Sequence, residues 1–345
     1  MVAPVGLPSQ IAAMTARLDL RQRPRRNRRN PVLRGFSRET RLTADAFVYP
    51  LFVHDGSGTT PIASMPGASR HDLDSLLREV EGAVTEGVRS VVLFPAVDEA
   101  LKTDGAEESF NPEGLVPRCI RAIKERFPQV AVVTDVALDP YSSAGHDGLV
   151  SPEGIILNDE TVEVLVKQSL SQAEAGADII APSDMMDGRV GAIRDALDEA
   201  GHHDVAIMAY TAKYASKLYG PFRDALDSAP KSGDKKTYQM DPANALEAIR
   251  EAELDEAEGA DMMMVKPAIF YLDIIARLAE TTSLPIAAYQ VSGEYAMLQA
   301  AFQNGWLDRR GAVLESLTSI RRAGAKIILT YFAREAARYL AEGVD

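Results

Sequence analysis

The strongest constraint on the fold is an alternation of short apolar segments with longer segments of helical periodicity, which runs from residue 47 onward. The apolar segments, which we predict to be strands, are 47–53, 90–94, 130–136, 178–181, 205–210, 261–265, 285–290 and 325–330. Each is nearly continuous in apolar residues, as in strands that are buried on both faces. Apolar residues have helical spacing in 73–86, 162–174, 243–256, 271–280 and 312–322. This alternation predicts a parallel sheet.

Four glycines separate a helical pattern from the strand that follows it: Gly87, Gly176, Gly259 and Gly324. Glycine at this position lets the chain take the left-handed turn that ends a helix. Eight strand–helix units favour a closed barrel over an open sheet, and the glycine motifs of common nucleotide-binding sheets are absent. We predict an α/β protein, a (β/α)8 TIM barrel over residues 42–345 with an extended N-terminal arm.

The predicted arm, residues 1–41, differs in charge from the rest of the chain. Between residues 17 and 41 ten arginines stand against two acidic residues, a local charge of +8; the whole chain carries −13, so the remainder carries −21. Basic arms can bind nucleic acid, but this segment holds no recognisable nucleic-acid-binding motif. We favour an arm that lies on an acidic surface of the barrel or of a neighbouring subunit.

The chain has one cysteine, Cys119, which excludes an intramolecular disulfide and any site that needs two thiolates from one chain. No apolar run reaches the roughly 18 residues of a membrane helix. The first sixteen residues lack the basic flank and the apolar block of a secretory signal. We therefore predict a soluble, cytoplasmic protein without a membrane or nucleic-acid partner.

Two connections, 139–159 and 220–241, are too long to be simple turns, and such segments are often active-site lids. The second carries four basic residues: Arg223, Lys231, Lys235 and Lys236. It is either a solvated charged loop or a lid that binds an anionic ligand.

Polar residues follow most of the predicted strands, where barrel enzymes place their catalytic groups. In chain order they are Asp135, Asp139, His146 and Asp147 after strand 3; Ser183, Asp184 and Asp187 after strand 4; Lys213 after strand 5; Lys266 after strand 6; Ser292 and Glu294 after strand 7; and Tyr331 after strand 8.

Two lysines in this set indicate the chemistry. Lys266 ends a strictly apolar strand, so its amine lies in the barrel mouth, where desolvation and a second ammonium from Lys213 would lower its pKa and free it as a nucleophile. A single lysine of this kind could equally be part of a structural ion pair. Two on neighbouring strands favour an enzyme that forms a Schiff base with a carbonyl substrate.

The carboxylates Asp139 and Asp147, with His146 between them, form a candidate cation site. Their oxygens suit Mg²⁺ or a monovalent ion, and without thiolates nothing indicates a tight zinc site. These residues could instead transfer protons without a metal.

Five long motifs resemble those of the porphobilinogen synthase family, also called 5-aminolevulinate dehydratases, and the resemblance extends over residues 25–340. They are MVKP (264–267), AYTAKYAS (209–216), YGPFRDA (219–225), APSDMMDGR (181–189) and YQVSGE (289–294). The resemblance implies a TIM barrel whose arm embraces a neighbouring subunit, commonly in a homo-octamer of arm-exchanged dimers. It also implies condensation of two 5-aminolevulinate molecules to porphobilinogen, with loss of two waters.

The resemblance assigns roles to the strand-end residues. Lys266 forms a Schiff base with the first substrate, which becomes the propionate side of the product, and Lys213 engages the second substrate, by Schiff base or as a neighbouring cation. Two groups of residues match the positions that bind the substrate carboxylates: Ser292 and Tyr331 for the first substrate, and Arg223, Lys235 and Gln239 for the second. Asp135 and Ser183 match positions that line the same pocket.

The sequence departs from zinc-using members of that family, which carry three cysteines after strand 3. Here these positions hold Ala137, Asp139 and Asp147, so we expect no catalytic zinc. The pattern resembles the magnesium-stimulated branch, in which an allosteric ion binds away from the chemistry at a glutamate that matches Glu251. A monovalent cation near Asp139 and Asp147 remains an open alternative.

Two other functions fit parts of the sequence. A different Schiff-base lyase or aldolase of barrel fold would act on one keto substrate and would not need Lys213. A nucleic-acid-binding protein would use the arginine-rich arm on an inactive barrel, and its binding would depend on salt.

Overall fold

The computed structural model describes residues 20–343, and its residues separate into a short N-terminal unit that ends at Glu39 and a body that begins at Thr40. Residues 1–19 of the predicted arm lie outside the described residues.

The described part of the N-terminal unit forms two short helices. A 3₁₀ helix spans Pro24–Arg28 and an α-helix spans Pro31–Phe36. Proline begins both, because its fixed φ suits the first helical turn and its missing N–H is not needed there. The Asn30 side chain caps the second helix by accepting a hydrogen bond from the Leu33 amide at 2.9 Å.

Eight parallel strands form the body, and they confirm the predicted barrel. Their bounds are β1 Phe47–His54, β2 Ser90–Ala96, β3 Ala131–Val136, β4 Ile179–Pro182, β5 Ala206–Lys213, β6 Met262–Lys266, β7 Ile286–Gln290 and β8 Ile327–Thr330. Each strand pairs with its neighbours in chain order, and β8 pairs with β1 through Phe47↔Ile328 and Val48↔Leu329. This last pair closes the sheet, so all the strand carboxyl ends meet at one mouth.

In the body, among the residues that the structure describes, ten α-helices surround the strands. Their bounds are α1 Leu73–Thr85, α2 Leu115–Arg126, α3 Asn158–Glu174, α4 Arg189–Glu199, α5 Gly220–Leu226, α6 Leu246–Ala257, α7 Leu272–Thr281, α8 Ser292–Gln303, α9 Arg309–Ala323 and α10 Ala333–Ala341. Side chains cap the starts of α1 and α9, where Asp72 accepts from Ser75 N at 2.9 Å and Asp308 accepts from Gly311 N at 2.6 Å. Gly176 and Gly259 have φ of 105° and 98°, which confirms their predicted place in left-handed turns between helix and strand.

The strands are buried on both faces, which explains their continuous apolar sequences. Barrel residues such as Val133, Ile180, Met264 and Leu329 are fully buried. One side packs under the helices and the other fills the barrel. No helix within residues 20–343 is long and apolar enough to cross a bilayer.

The two predicted long connections differ in structure. Residues after β3 contain a small antiparallel hairpin, Leu149–Val150 with Ile156–Leu157. The segment after β5 begins with α5 and then continues without regular structure to Met240, which bridges to Tyr214. We call residues 220–241 the lid.

Candidate active site

Two lysine amines lie side by side at the barrel mouth, because β5 and β6 end in register. Lys213 and Lys266 are Cα partners in the parallel pairing of these strands. Their exposed fractions are only 6% and 5%. The sequence prediction placed Lys213 beyond its strand, but β5 runs three residues further than predicted and ends at this lysine.

The Lys266 amine lies in an aromatic cage. Its Nζ is 5.0 Å from the ring centroid of Tyr210, 5.3 Å from Tyr219, 5.1 Å from Phe222 and 4.8 Å from Tyr289. Desolvation is the main cause that lowers the pKa of Lys266 to about 7, and the nearby Lys213 ammonium lowers it further. A substantial share of this amine is therefore neutral, and nucleophilic, near neutral pH.

Lys213 has the opposite environment. Its Nζ donates to Asp147 Oδ2 at 2.9 Å and to the carbonyl oxygen of Ser183. Burial would raise the pKa of Asp147, but Lys213 and Lys235 outweigh burial and hold that pKa well below its ordinary value. The two lysines therefore differ in environment although they are neighbours, because Lys213 is ion-paired with Asp147 whereas Lys266 is surrounded by aromatic rings.

Asp135 is a further buried acid next to the two lysines. Burial raises its pKa to about 6, against the lowering effect of Lys266 and Lys213. Its Oδ1 atom is buried and has no hydrogen-bond partner among residues 20–343. A carboxyl group of this kind can hold and release a proton near neutral pH.

The lid closes over these groups through buried contacts. Lys235 binds Asp147, and its Nζ lies 3.3 Å from Asp139 Oδ2. Both ring nitrogens of His146 face the lid, with Nδ1 3.0 Å from the Tyr238 hydroxyl and Nε2 2.9 Å from the Ser232 carbonyl oxygen.

Lid and barrel together line a small cavity of about 20 Å³. It is lined by Asp135, Asp139, Asp147, Ser183, Lys213, Tyr219, Phe222, Arg223, Lys235, Gln239 and Lys266. The Arg223 side chain has no hydrogen bond or ion pair with any residue that the structure describes. It therefore presents an unneutralised cation to a ligand in the cavity.

Two of the lid's four basic residues do not reach this cavity. Lys231 pairs with Glu99 at 2.7 Å and Lys236 with Asp234 at 3.4 Å, on the outer surface. Any anion bound by the lid would thus contact Arg223 and Lys235.

Ser292 and Tyr331 lie at the ends of β7 and β8, beside the cavity lining rather than within it. Ser292 Oγ accepts a hydrogen bond from the Phe222 amide at 3.0 Å and donates to the Leu218 carbonyl oxygen at 3.3 Å. The Tyr331 and Tyr289 hydroxyls are 2.9 Å apart. Tyr289 and Phe222 belong to the aromatic cage, so both predicted residues adjoin Lys266 through one intervening residue.

The candidate cation site after β3 is occupied by protein cations. Asp147 and Asp139 bind lysines, and His146 binds the lid. Within residues 20–343 no group of three or more histidine, cysteine or acidic residues could hold a metal ion. These residues therefore do not fit a metal site in this arrangement, and the monovalent cation stays a prediction.

Glu251 lies on α6, outside this cavity. Burial raises its pKa to about 7, partly offset by Arg189, while Asp255 and Asp187 raise it further. Arg189 is fully buried between Asp184 and Asp255, at 3.7 and 3.5 Å. A half-buried carboxylate near other acids fits a hydrated Mg²⁺, which needs only one or two protein carboxylates and keeps several waters.

Comparison with known proteins shows the family of the chain. The family model for delta-aminolevulinic acid dehydratase matches residues 21–339. The chain belongs to this family. It is 60% identical over 339 residues to the chloroplastic enzyme of Physcomitrium patens and 57% identical to enzyme 1 of Arabidopsis thaliana. These alignments cover 98% of this chain and 77% and 78% of the relatives.

A solved structure of the family has nearly the same fold. The Toxoplasma gondii enzyme, described in complex with the reaction product porphobilinogen, matches with a TM-score of 0.94 and 55% identity. The match covers 95% of this chain and 94% of that one. The predicted family is thus confirmed.

The predicted cytoplasmic location is wrong. The relatives at 56–60% identity are named chloroplastic, not cytoplasmic. The prediction used criteria for a secretory signal and a membrane helix, and neither criterion detects plastid import.

Proposed function

We propose that the chain condenses two 5-aminolevulinate molecules to porphobilinogen with loss of two waters, a lyase reaction of porphyrin biosynthesis. The observation that carries this proposal is the pairing of a caged amine with depressed pKa and an acid-bound lysine in one cavity. A condensation of two identical keto amines needs two distinct binding environments, and these neighbouring lysines provide them.

Lys266 is the proposed nucleophile. Its pKa of about 7 leaves a neutral lone pair to attack the ketone carbon of the first substrate. Lys213, bound to Asp147, engages the second substrate as a neighbouring cation or by a second Schiff base. Asp135 and Ser183 line the space between the two.

Charged groups at the cavity wall suit the substrate carboxylates. Arg223 is available for the second carboxylate, while Lys235 and Gln239 contact Asp147 and can exchange that contact for a ligand. Ser292 and Tyr331 supply hydroxyls for the first carboxylate, at the ends of β7 and β8.

Product formation in two variants tests this assignment. Lys266→Met and Lys213→Met should each lower turnover of 5-aminolevulinate by more than a hundredfold, whereas exposed Lys326→Met should not. An aldolase-like enzyme that acts on one keto substrate would retain turnover without Lys213. Near-normal porphobilinogen formation by Lys266→Met would refute the proposed mechanism.

We also propose stimulation by Mg²⁺ through Glu251, without catalytic zinc. The single cysteine supports the second part, because Cys119 is buried in α2 and burial raises its pKa to about 12, so it remains a thiol. Glu251→Gln should abolish stimulation by Mg²⁺ and keep the rate measured without the ion. Loss of activity with a zinc-selective chelator, rescued by zinc alone, would contradict the proposal.

We also propose that the chain forms a homo-oligomer, and the charge of the arm supports this proposal. An arm with local charge +8 and a body of opposite charge suit a homo-oligomer, predicted to be an octamer, in which residues 1–41 contact a neighbouring subunit. Light scattering after size-exclusion chromatography should give eight subunits for the full chain and fewer after residues 1–39 are removed. An unchanged mass after removal would contradict the role of the arm.

A further inference from the structure

The buried hydroxyl of Tyr210 has no role in the function proposed so far. This tyrosine lies on β5, three residues before Lys213, and its side chain is fully buried. Its hydroxyl makes no hydrogen bond of good geometry within the described part of the chain, and the group next to it is the Asp135 carboxyl, which adds to burial in raising the pKa of Tyr210, both by its charge and as a side-chain hydrogen-bond partner. Buried polar atoms without a partner are rare in proteins and lower stability, so one at a catalytic centre calls for a functional reason.

The Tyr210 ring lies between the two lysines. Its centroid is 5.0 Å from Lys266 Nζ and 5.9 Å from Lys213 Nζ. Among the aromatic rings of residues 20–343, it alone contacts both amines. A polar atom on this ring is therefore close to both predicted substrate positions.

Asp135 is a second buried group next to the lysines with an oxygen, Oδ1, that makes no hydrogen bond of good geometry within residues 20–343. After burial, the charge of Asp135 is the largest cause that raises the pKa of Tyr210 well above 10. Tyr210 thus keeps its proton and acts as a donor, while Asp135, with a pKa of about 6, can supply or take one. The other charged groups that face Asp135 are Lys266, Lys213 and Asp139.

We propose that Tyr210 is a further catalytic residue, whose hydroxyl passes protons between Asp135 and the ketone oxygen of the substrate held at Lys266. This inference rests on the proposed function. It explains why neither buried oxygen makes a hydrogen bond of good geometry to the protein although the two groups are neighbours: both are left available to the reacting oxygen.

The proton steps balance in both halves of Schiff-base formation. As the Lys266 lone pair forms the C–N bond, the π electrons of the ketone move to oxygen, which takes the Tyr210 proton while Tyr210 takes one from Asp135. The carbinolamine nitrogen then returns a proton to the Asp135 carboxylate. In the second half the nitrogen lone pair expels the hydroxyl, which leaves as water with a proton passed again from Asp135 through Tyr210. The products are a protonated Schiff base, water and ionised Asp135.

Replacement of Tyr210 by phenylalanine tests the relay, because Tyr210→Phe keeps the ring between the lysines. The measurement is the rate at which 5-aminolevulinate gives a borohydride-trapped adduct on Lys266, followed by rapid quench and peptide mass. Loss of a positioned proton donor should slow this rate about a hundredfold. The melting temperature should change little, since the removed hydroxyl makes no hydrogen bond of good geometry within the described residues.

Tyr214→Phe is the matched control. The Tyr214 ring is also buried and follows β5 directly, but it is not part of the cavity lining and its hydroxyl donates to the Asn244 backbone oxygen at 3.1 Å. In the native chain and in this control, the adduct rate should first rise with pH as Lys266 loses its proton and then fall as Asp135 loses its own, so the falling limb is the Asp135 step. Tyr210→Phe should lack that step, because Asp135 can no longer pass its proton to the substrate.

Each other outcome overturns the inference. A Tyr210→Phe variant with the native rate, or with a lower rate and the native pH step, shows that the hydroxyl carries no proton in catalysis. An unmodified chain that forms no adduct on Lys266 refutes the proposed function and the relay together, which separates that failure from the first two.

Discussion

Replacement of Lys266 by methionine should make the protein more stable while it abolishes activity. The folded chain holds this amine in an aromatic cage, where its pKa is about 7 instead of 10.5. Protonation is thus much less favourable in the folded state than in the unfolded state. Linkage converts this difference to a penalty on the order of 4 kcal/mol in the free energy of unfolding at pH 7. Methionine has a similar length and no charge, so Lys266→Met removes the penalty.

The sign of the pH dependence follows from the direction of the shift. Between pH 7 and 10.5 the unfolded chain binds more protons at Lys266 than the folded chain does, so native stability rises with pH in this window. The advantage of the variant should therefore shrink to about 2 kcal/mol at pH 9 and vanish above pH 10.5, where the lysine is neutral in both states.

Urea unfolding of both proteins at pH 7 and pH 9, at one protein concentration, measures this difference. Lys326→Met, at an exposed position without ion pairs in the described residues, is the control and should leave the midpoint unchanged at both pH values. A Lys266→Met protein that is less stable than the native chain, or whose advantage does not change with pH, would refute the argument that burial lowers this pKa.

Two further predictions concern the charged groups of the cavity. Asp147→Asn leaves the buried Lys213 and Lys235 without their shared carboxylate, so urea unfolding at pH 7 should show a loss of about 3–5 kcal/mol; the surface variant Asp234→Asn is its control, and an equal effect of both would contradict the account. The pKa of Asp147 is depressed, so its contribution is lost as pH falls and the two proteins should converge in acid. Arg223→Gln should raise KM for 5-aminolevulinate roughly 10- to 100-fold in steady-state kinetics, because a charged hydrogen bond to the substrate is lost. Lys231→Gln, on the outer face of the lid, is the control and should leave KM unchanged. Equal KM values for the two variants would exclude Arg223 from carboxylate binding.

The barrel could be predicted because each strand is buried on both faces. A strand of this kind is recognisable in the sequence as a short apolar run. All eight predicted strands are present, and their ends differ by a few residues. The largest difference is at β5, which continues from Tyr210 to Lys213. The end of β5 is set by its pairing with β6, in which Lys213 is the partner of Lys266. The local sequence of residues 211–213 contains no pattern that predicts this pairing.

The two lysines were predictable for the same reason, since each follows an apolar strand. The difference between their environments was not predictable, because it depends on residues distant in sequence. Lys213 is ion-paired by Asp147, 66 residues away, whereas Lys266 is enclosed by rings from three separate segments. Tyr210, Tyr219 and Tyr289 were not among the predicted site residues. Their only local signal is an aromatic residue near a strand end, which core packing produces equally well.

The candidate cation site shows the same limit. Asp139 and Asp147 are correctly placed at the barrel mouth by their position after β3. Sequence spacing alone could not show that Lys235 folds back from the lid onto both of them, across 96 and 88 residues. The ion pairs between Lys235 of the lid and the two aspartates after β3 depend on the tertiary fold and could not be predicted from the local sequence.

The central claim is that Lys266 is the nucleophile toward 5-aminolevulinate, and one trapping experiment tests it directly. The protein is incubated with this substrate, borohydride is added, and the modified lysine is identified by peptide mass. The account predicts a reduced adduct on Lys266, alone or together with one on Lys213. Folded protein that gives no adduct on Lys266, with and without Mg²⁺, would contradict it.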